Sequence, residues 1–226
     1  EATELAADHP GFADAAYRAR RDEIASASRL VEPGHRPPVV RYTADEHALW
    51  AEVSAALGRR HRAYACAEYR AAARALDLPA REVPQLADVS ARLRDLTAFR
   101  LAAVPGLVPT DVFYGSLAER RFLSTQYLRH ASEPYYTPEP DIIHELIGHA
   151  NALASVRFAS LYEAAGRASL RATTPEALER FSRFFWFTME FGVVREDGEL
   201  RAYGAGLLSS FGEIEAFRDA EVRPWD

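Results

Sequence analysis

The sequence predicts a mainly α fold with a few short strands, an α+β arrangement, and three observations carry that expectation. Ala- and Arg-rich helical patterns fill most of the first hundred residues, β-favouring runs occur at 99–104 and 121–128, and Asp197-Gly198 sits between two short extended stretches. In chain order, residues 11–30 read as a first helix, followed by a loop carrying Pro33, Pro37 and Pro38. Thr43-Ala44-Asp45-Glu46 has capping-box spacing and opens a second helix, for which Gly58 is the expected stop. Helices are expected again over 61–76, ending near Pro79, and over 86–96. Strands and loops then gather, with Gly106, Pro109 and Gly115 between the two β-favouring runs.

Helical patterns return at 142–153, 159–170 and 175–191, the last started by Thr174 with Pro175 in its first turn. Asp197-Gly198 supplies the positive φ of a tight hairpin between 193–196 and 199–202. Gly204-Ala205-Gly206 reads as a loop before a final helix from about Phe211. With no repeat, low-complexity tract or long linker, residues 1–226 are expected to form a single domain.

Charge and cysteine usage narrow the function. The 27 basic side chains are all arginine and face 33 acidic ones, a formal net charge of −6 that disfavours nucleic acid and acidic lipid as partners. In so Arg-rich a chain a lone Arg is weak evidence of function. Cys66 is the only cysteine, which excludes an internal disulfide and a thiolate-rich metal site and fits a reducing, cytoplasmic setting. No stretch approaches the ~18 apolar residues of a membrane span, and Glu1-Ala2-Thr3-Glu4 lacks the pattern of a signal peptide.

The strongest chemical signal is His144-Glu145-Leu146-Ile147-Gly148-His149, two imidazoles either side of a carboxylate, just after Thr137-Pro138-Glu139-Pro140-Asp141. A zinc-protease helix spaces its histidines at i and i+4, whereas these lie at i and i+5. At ~100° per residue such a pair is roughly 140° apart on an ideal helix, so either His144 sits at a helix start or the helix is locally deformed. Glu190, set among Trp186, Phe187, Met189 and Phe191, is a carboxylate that must be paired or bound to something. Two His and one carboxylate with open positions make the facial triad of non-haem Fe(II) oxygenases. Trp186, four residues before Glu190, would bring an aromatic wall to the same pocket. A zinc hydrolase with Glu145 as base is the alternative, and a helical scaffold with an incidental histidine pair is a third reading.

The chain resembles the pterin-dependent aromatic amino acid hydroxylases, the family of phenylalanine, tyrosine and tryptophan hydroxylases, and within it the bacterial phenylalanine hydroxylases. The resemblance rests on blocks in family order across nearly the whole chain. These include Asp8-His9-Pro10-Gly11-Phe12, Pro84-Gln85-Leu86-Ala87-Asp88, Thr125-Gln126-Tyr127-Leu128-Arg129-His130 and Tyr136-Thr137-Pro138-Glu139-Pro140-Asp141. The His-Glu…Gly-His segment, Trp186-Phe187-Thr188-Met189-Glu190-Phe191-Gly192 and the stretch from Ala202-Tyr203-Gly204 to Phe211-Gly212-Glu213 complete the set.

The resemblance implies Fe(II) held by His144, His149 and Glu190, with Glu145 and Trp186 in catalytic positions. It implies Arg129 gripping the substrate carboxylate, Thr137 and Ser209 holding the amino-acid backbone, and Pro138, His144, Trp186 and Phe191 enclosing the aromatic ring. It places tetrahydrobiopterin, or another tetrahydropterin, against Gly106, Leu107, Val108, Thr110, Phe113 and Glu145. The implied activity is O₂-dependent ring hydroxylation of an aromatic amino acid, L-phenylalanine to tyrosine first, with the meta isomer, tyrosine or tryptophan as alternatives. Leu123 and Phe185 depart from the pattern, standing where animal enzymes carry His and often Tyr, which leaves pterin affinity, coupling and ring position open. No regulatory domain or tetramerisation helix is visible, so a monomer or weak dimer is expected.

Overall fold

The computed structural model describes residues 5–29 and 35–223, so Leu30 and the Pro33 part of the first loop lie outside the described residues. The first helix, α1 (Ala15–Arg29), starts later than its composition suggests, because Asp14 Oδ1 accepts the N–H groups of Ala16 and Tyr17 and fixes the N-terminus there. The Thr43–Glu46 capping box forms in full and starts α2 (Ala44–Tyr64). Gly58 does not stop this helix. Nothing crowds its Cα and no positive φ is needed there, so the chain runs on through His61 until Ala65 turns extended. Cys66 then caps α3 (Ala67–Leu76), its Sγ accepting the Tyr69 N–H at 3.4 Å.

Next comes α4 (Leu86–Thr97), followed by β1 (Arg100–Ala103), α5 (Thr110–Leu117) and β2 (Arg121–Ser124). The two strands pair in parallel, Arg100 beside Arg121 and Ala103 beside Ser124, with α5 in the crossover that a parallel pair requires. Gly106, Pro109 and Gly115 predict loop here, but α5 is a helix because burying Tyr114 and Leu117 among Phe181, Phe185, Gly166 and their neighbours outweighs its glycine and short length. A central core including Trp50, Leu57, Leu86, Leu93, Phe99, Phe122, Ile142, Ile143 and Leu146 joins these elements.

The expected helix over 142–153 is a π-helical segment, His144–Ala150, running into the short turn α6 (Asn151–Leu153). Ser155 caps α7 (Val156–Ser169), and Thr174 with Pro175 starts α8 (Pro175–Phe185) as expected. Beyond Phe185 the helix widens into a second π segment, Trp186–Glu190, closed by the Phe191 N–H donating to the Trp186 carbonyl at 3.0 Å. The hairpin β3 (Val193–Glu196) and β4 (Glu199–Ala202) turns through Asp197 and Gly198, both at positive φ. The expected Gly204-Ala205-Gly206 loop is instead the start of α9 (Ala205–Ser209), and the last helix, α10 (Glu213–Ala216), is a single turn continued by Phe217–Asp219. Leu207, Leu208 and Ile214 tie this end to Ala65, Tyr69 and Ala152 in a second core. Among the described residues no helix is long and apolar enough to cross a membrane.

Candidate metal centre and its cavity

The i+5 spacing of the two histidines is the repeat of the segment that carries them. A π turn closes its hydrogen bonds at i+5, as the Asn151 N–H does on the Leu146 carbonyl, so His144 and His149 fall on one side. The segment is anchored at its start by buried Asp141, whose Oδ1 accepts the His144 N–H at 3.0 Å. The second π segment delivers Glu190 to the same point. His149 Nε2 lies 3.0 Å from Glu190 Oε1 and 3.1 Å from His144 Nε2, and His144 Nε2 lies 3.7 Å from Glu190 Oε2.

Both Nδ1 atoms are engaged elsewhere, that of His144 with Ser209 Oγ at 2.7 Å and that of His149 with the Tyr162 hydroxyl at 2.9 Å. Donation from each Nδ1–H leaves the two Nε2 lone pairs and the carboxylate facing one another, a costly convergence that a cation between them turns into ligation. Among the described residues this trio is the one group whose ligand atoms all lie close enough, within 4.8 Å, to hold a metal ion. The donor set, two imidazole nitrogens and one carboxylate, fits Fe(II).

Burial lowers the His144 imidazole to about 4 despite the neighbouring Glu190 charge. For Glu190 burial works the other way, but the His149 and His144 imidazoles beside it hold its carboxyl down at about 2. Glu145, in the turn between the two histidines, points elsewhere: burial pushes its carboxyl well above the usual range, opposed by the Thr125 N–H.

Two close approaches set the frame. A Cβ on Gly148 would lie 2.9 Å from the Ala205 carbonyl, and one on Gly204 would lie 2.3 Å from that of Glu190. Their absence lets α9 press against both π segments and puts Ser209 on His144.

The three side chains open onto a cavity of about 220 Å³. Its wall brings together Gly106, Leu107, Val108, Thr110 and Phe113 from the β1–α5 loop and α5, Glu145 from the first π segment, and Trp186 from the second. Leu123 and Phe185, the two departures, line it as well, and Phe185 is buried against Tyr114 and Tyr162. Arg129, Thr137, Pro138, Phe191 and Ser209 are not part of this wall. Phe191 stacks obliquely on Trp186 with ring centres 4.8 Å apart, Thr137 Oγ1 donates to the Glu139 carbonyl, and Pro138 is exposed. Arg129 is buried and forked onto Asp141, Nε to Oδ2 at 3.0 Å and Nη2 to Oδ1 at 2.8 Å.

Sequence reasoning missed two residues of the site. Asp141 carries a signal in its position, an Asp directly before the helical run at 142 and three residues before His144, which is that of an N-cap. Tyr162 carries none, since it reaches His149 from a separate helix whose own pattern says only that the position is buried. Tyr162→Phe removes the partner that fixes the His149 ring and is expected to weaken iron retention about 10- to 100-fold with the fold intact, measured by competition with a chelator. Unchanged retention would leave Tyr162 as packing only.

A mainly helical fold that brings two histidines and a glutamate together beside a largely apolar cavity presents the donor set of a mononuclear non-haem iron oxygenase centre. The chain belongs to the biopterin-dependent aromatic amino acid hydroxylases, whose family model matches residues 1–226. It is 50% identical over 218 residues to phenylalanine 3-hydroxylase of Streptomyces coeruleorubidus, covering 96% of this chain and 78% of that protein. It is 46% identical over 229 residues to tyrosine 3-monooxygenase of Mus musculus, covering 99% of this chain but 46% of that one. Phenylalanine hydroxylase from Chromobacterium violaceum, solved with iron(III) and the oxidised cofactor 7,8-dihydrobiopterin, matches with a TM-score of 0.76 at 37% identity over 80% of this chain and 66% of that chain. The iron- and phenylalanine-bound form of that enzyme matches with a TM-score of 0.75 at 35% identity, covering 82% of this chain and 67% of that one. The chain thus spans about half the length of the animal relative.

Proposed function

We propose that this chain is the catalytic domain of an enzyme that hydroxylates the ring of L-phenylalanine, using O₂, a tetrahydropterin and Fe(II). The observation that carries the reading is the convergence of His144, His149 and Glu190 on the cavity that also holds Phe113, Glu145 and Trp186. Bound Fe(II) and tetrahydropterin would together supply the activation of O₂. The protein's part is to hold and to exclude. His144, His149 and Glu190 would bind the iron, with Ser209 and Tyr162 fixing the two rings through their Nδ1 atoms. Phe113 would stack on the pterin, with the backbone of Gly106 to Val108, Thr110 and Glu145 around it. Phe122, Leu123 and Trp186 keep the wall apolar, so that water is displaced from the reacting ring.

Arg129, held in plane by Asp141, would take the substrate carboxylate. Thr137 and Ser209 would bear on the amino-acid backbone, and Pro138 and Phe191 on its ring. Para hydroxylation to tyrosine is the first reading. Meta hydroxylation is the second, favoured by the identity to a phenylalanine 3-hydroxylase, and tyrosine and tryptophan are further candidate substrates. We also propose a cytoplasmic protein, monomeric or weakly dimeric, consistent with one buried cysteine.

Reconstitution with Fe(II) under anaerobic conditions, followed by air, a tetrahydropterin and phenylalanine, is expected to give one hydroxylated amino acid only when iron and pterin are both present. Chromatography against the tyrosine isomers fixes the ring position. Pterin oxidation without an amino-acid product from phenylalanine, tyrosine or tryptophan would remove the substrate assignment, with Leu123 the first residue to exchange. Zinc uptake with hydrolytic turnover and no pterin oxidation would replace the reading by the hydrolase alternative.

A further inference from the structure

A second and larger cavity, about 500 Å³, lies away from the metal centre beside the β1–β2 pair. Four arginines line it, Arg36, Arg94, Arg100 and Arg121, against two acidic residues, Asp88 and Glu119. Such a cationic cleft runs against the net charge of −6 on the chain. Its centre is the strand register: Arg100 and Arg121 are direct partners across the parallel pair, where like charges destabilise. Arg121 has Glu119 for a partner on one side, but its Nε is buried without any hydrogen bond. The Arg100 guanidinium makes no ion pair or hydrogen bond among the described residues, where its only bonds are those of its backbone. The two outer arginines are weakly held, Arg36 3.8 Å from Asp88 and Arg94 3.6 Å from Asp95, all of them well exposed.

We propose that this cleft binds an organic phosphate carrying two or more negative charges. A pair of forked donors side by side matches phosphoryl oxygens, which accept bidentate bonds from guanidinium. The four arginines outnumber the two carboxylates by two, so one monovalent carboxylate would leave half of that excess unmatched. The volume exceeds that of a bare oxyanion and falls in the range of small-molecule sites, and Ala87, Ala91 and Ala102 in its lining offer an apolar contact for the organic part. The repulsion across the register is then the cost of a site that an anion relieves.

Titration calorimetry of the iron-loaded protein at low salt, with inorganic pyrophosphate and with ATP as probes, tests this. One saturable site is expected, tighter for ATP than for pyrophosphate, and weaker as salt rises. Equal affinity for the two probes would overturn the organic part of the proposal and leave a phosphoryl site. Arg100→Ala should weaken both about tenfold or more, the loss of at least one charge-assisted hydrogen bond, which also separates this cleft from phosphate ligation at the iron. Arg100→Glu should abolish binding and raise the melting temperature, because it puts an opposite charge beside Arg121. Absence of saturable binding, affinities unchanged in Arg100→Ala, or a lowered melting temperature for Arg100→Glu would each overturn the site.

Discussion

Glu190→Ala is expected to lose both iron and hydroxylation while the chain stays folded. Glu190 closes the second π segment, its side chain is 13% exposed, and both carboxylate oxygens are directed at imidazole nitrogens. Removing it leaves a two-ligand site in which His144 Nε2 and His149 Nε2 are 3.1 Å apart with no anion beside them. Loss of an outer-shell partner alone weakens metal binding about 10- to 100-fold, so loss of a ligand should exceed that and take turnover with it. The fold should survive, because Met189 and Phe185, packed in the central core, hold the backbone on either side of this segment. Metal analysis after gel filtration, thermal unfolding by circular dichroism and product formation measure the three parts separately. Full iron content with full activity would remove Glu190 from the site, whereas Glu190→Gln, which keeps the shape and loses the charge, should fall between the two.

What the sequence showed, and what it hid, follows from the range of each interaction. Caps and turns are local, so Thr43 with Glu46, Thr174 with Pro175, and Asp197-Gly198 could be read directly, and each forms as expected. The trio that converges at the cavity was legible in a different way, from residue types: a histidine pair and an acid inside an aromatic run. Its geometry was not. The i+5 spacing left a helix start and a deformed helix open, and the answer, two π segments that both meet α9, depends on its close approach through Gly148 and Gly204. The same holds for α5 and α9, short helices whose local preference is weak and which exist because neighbours cover them. Gly58 shows the converse, a residue with a breaker's reputation that a helix of 21 residues absorbs. Tyr162 and Asp141 act on the site from positions whose sequence context describes only burial and capping.

Arg129→Lys is the second large effect, and its value lies in separating two roles that the geometry gives to one residue. Arg129 is buried, and its fork meets Asp141 through Nε and Nη2, leaving Nη1 near the Pro134 carbonyl at 3.4 Å as the least committed donor. Asp141 is fully buried as well, and the Arg129 charge holds its carboxyl below the usual range against the opposing pull of burial. The same carboxylate caps the segment that carries His144. Lysine preserves the charge, so the cost is smaller than the about 3–5 kcal/mol of removing one partner of a buried pair. It cannot reproduce the planar fork, and the loss of one charge-assisted bond to the substrate, about 1.5–3 kcal/mol, corresponds to roughly a 10- to 100-fold drop in kcat/KM. If Arg129 takes the substrate carboxylate, that drop should appear mainly in KM for phenylalanine, with pterin KM and iron content near those of the parent. If it acts only by steadying Asp141 and through it His144, iron retention should fall and the amino-acid KM should stay where it was. Measuring KM for both substrates alongside iron content on the one variant therefore decides between them, and an unchanged amino-acid KM would take Arg129 out of the substrate site.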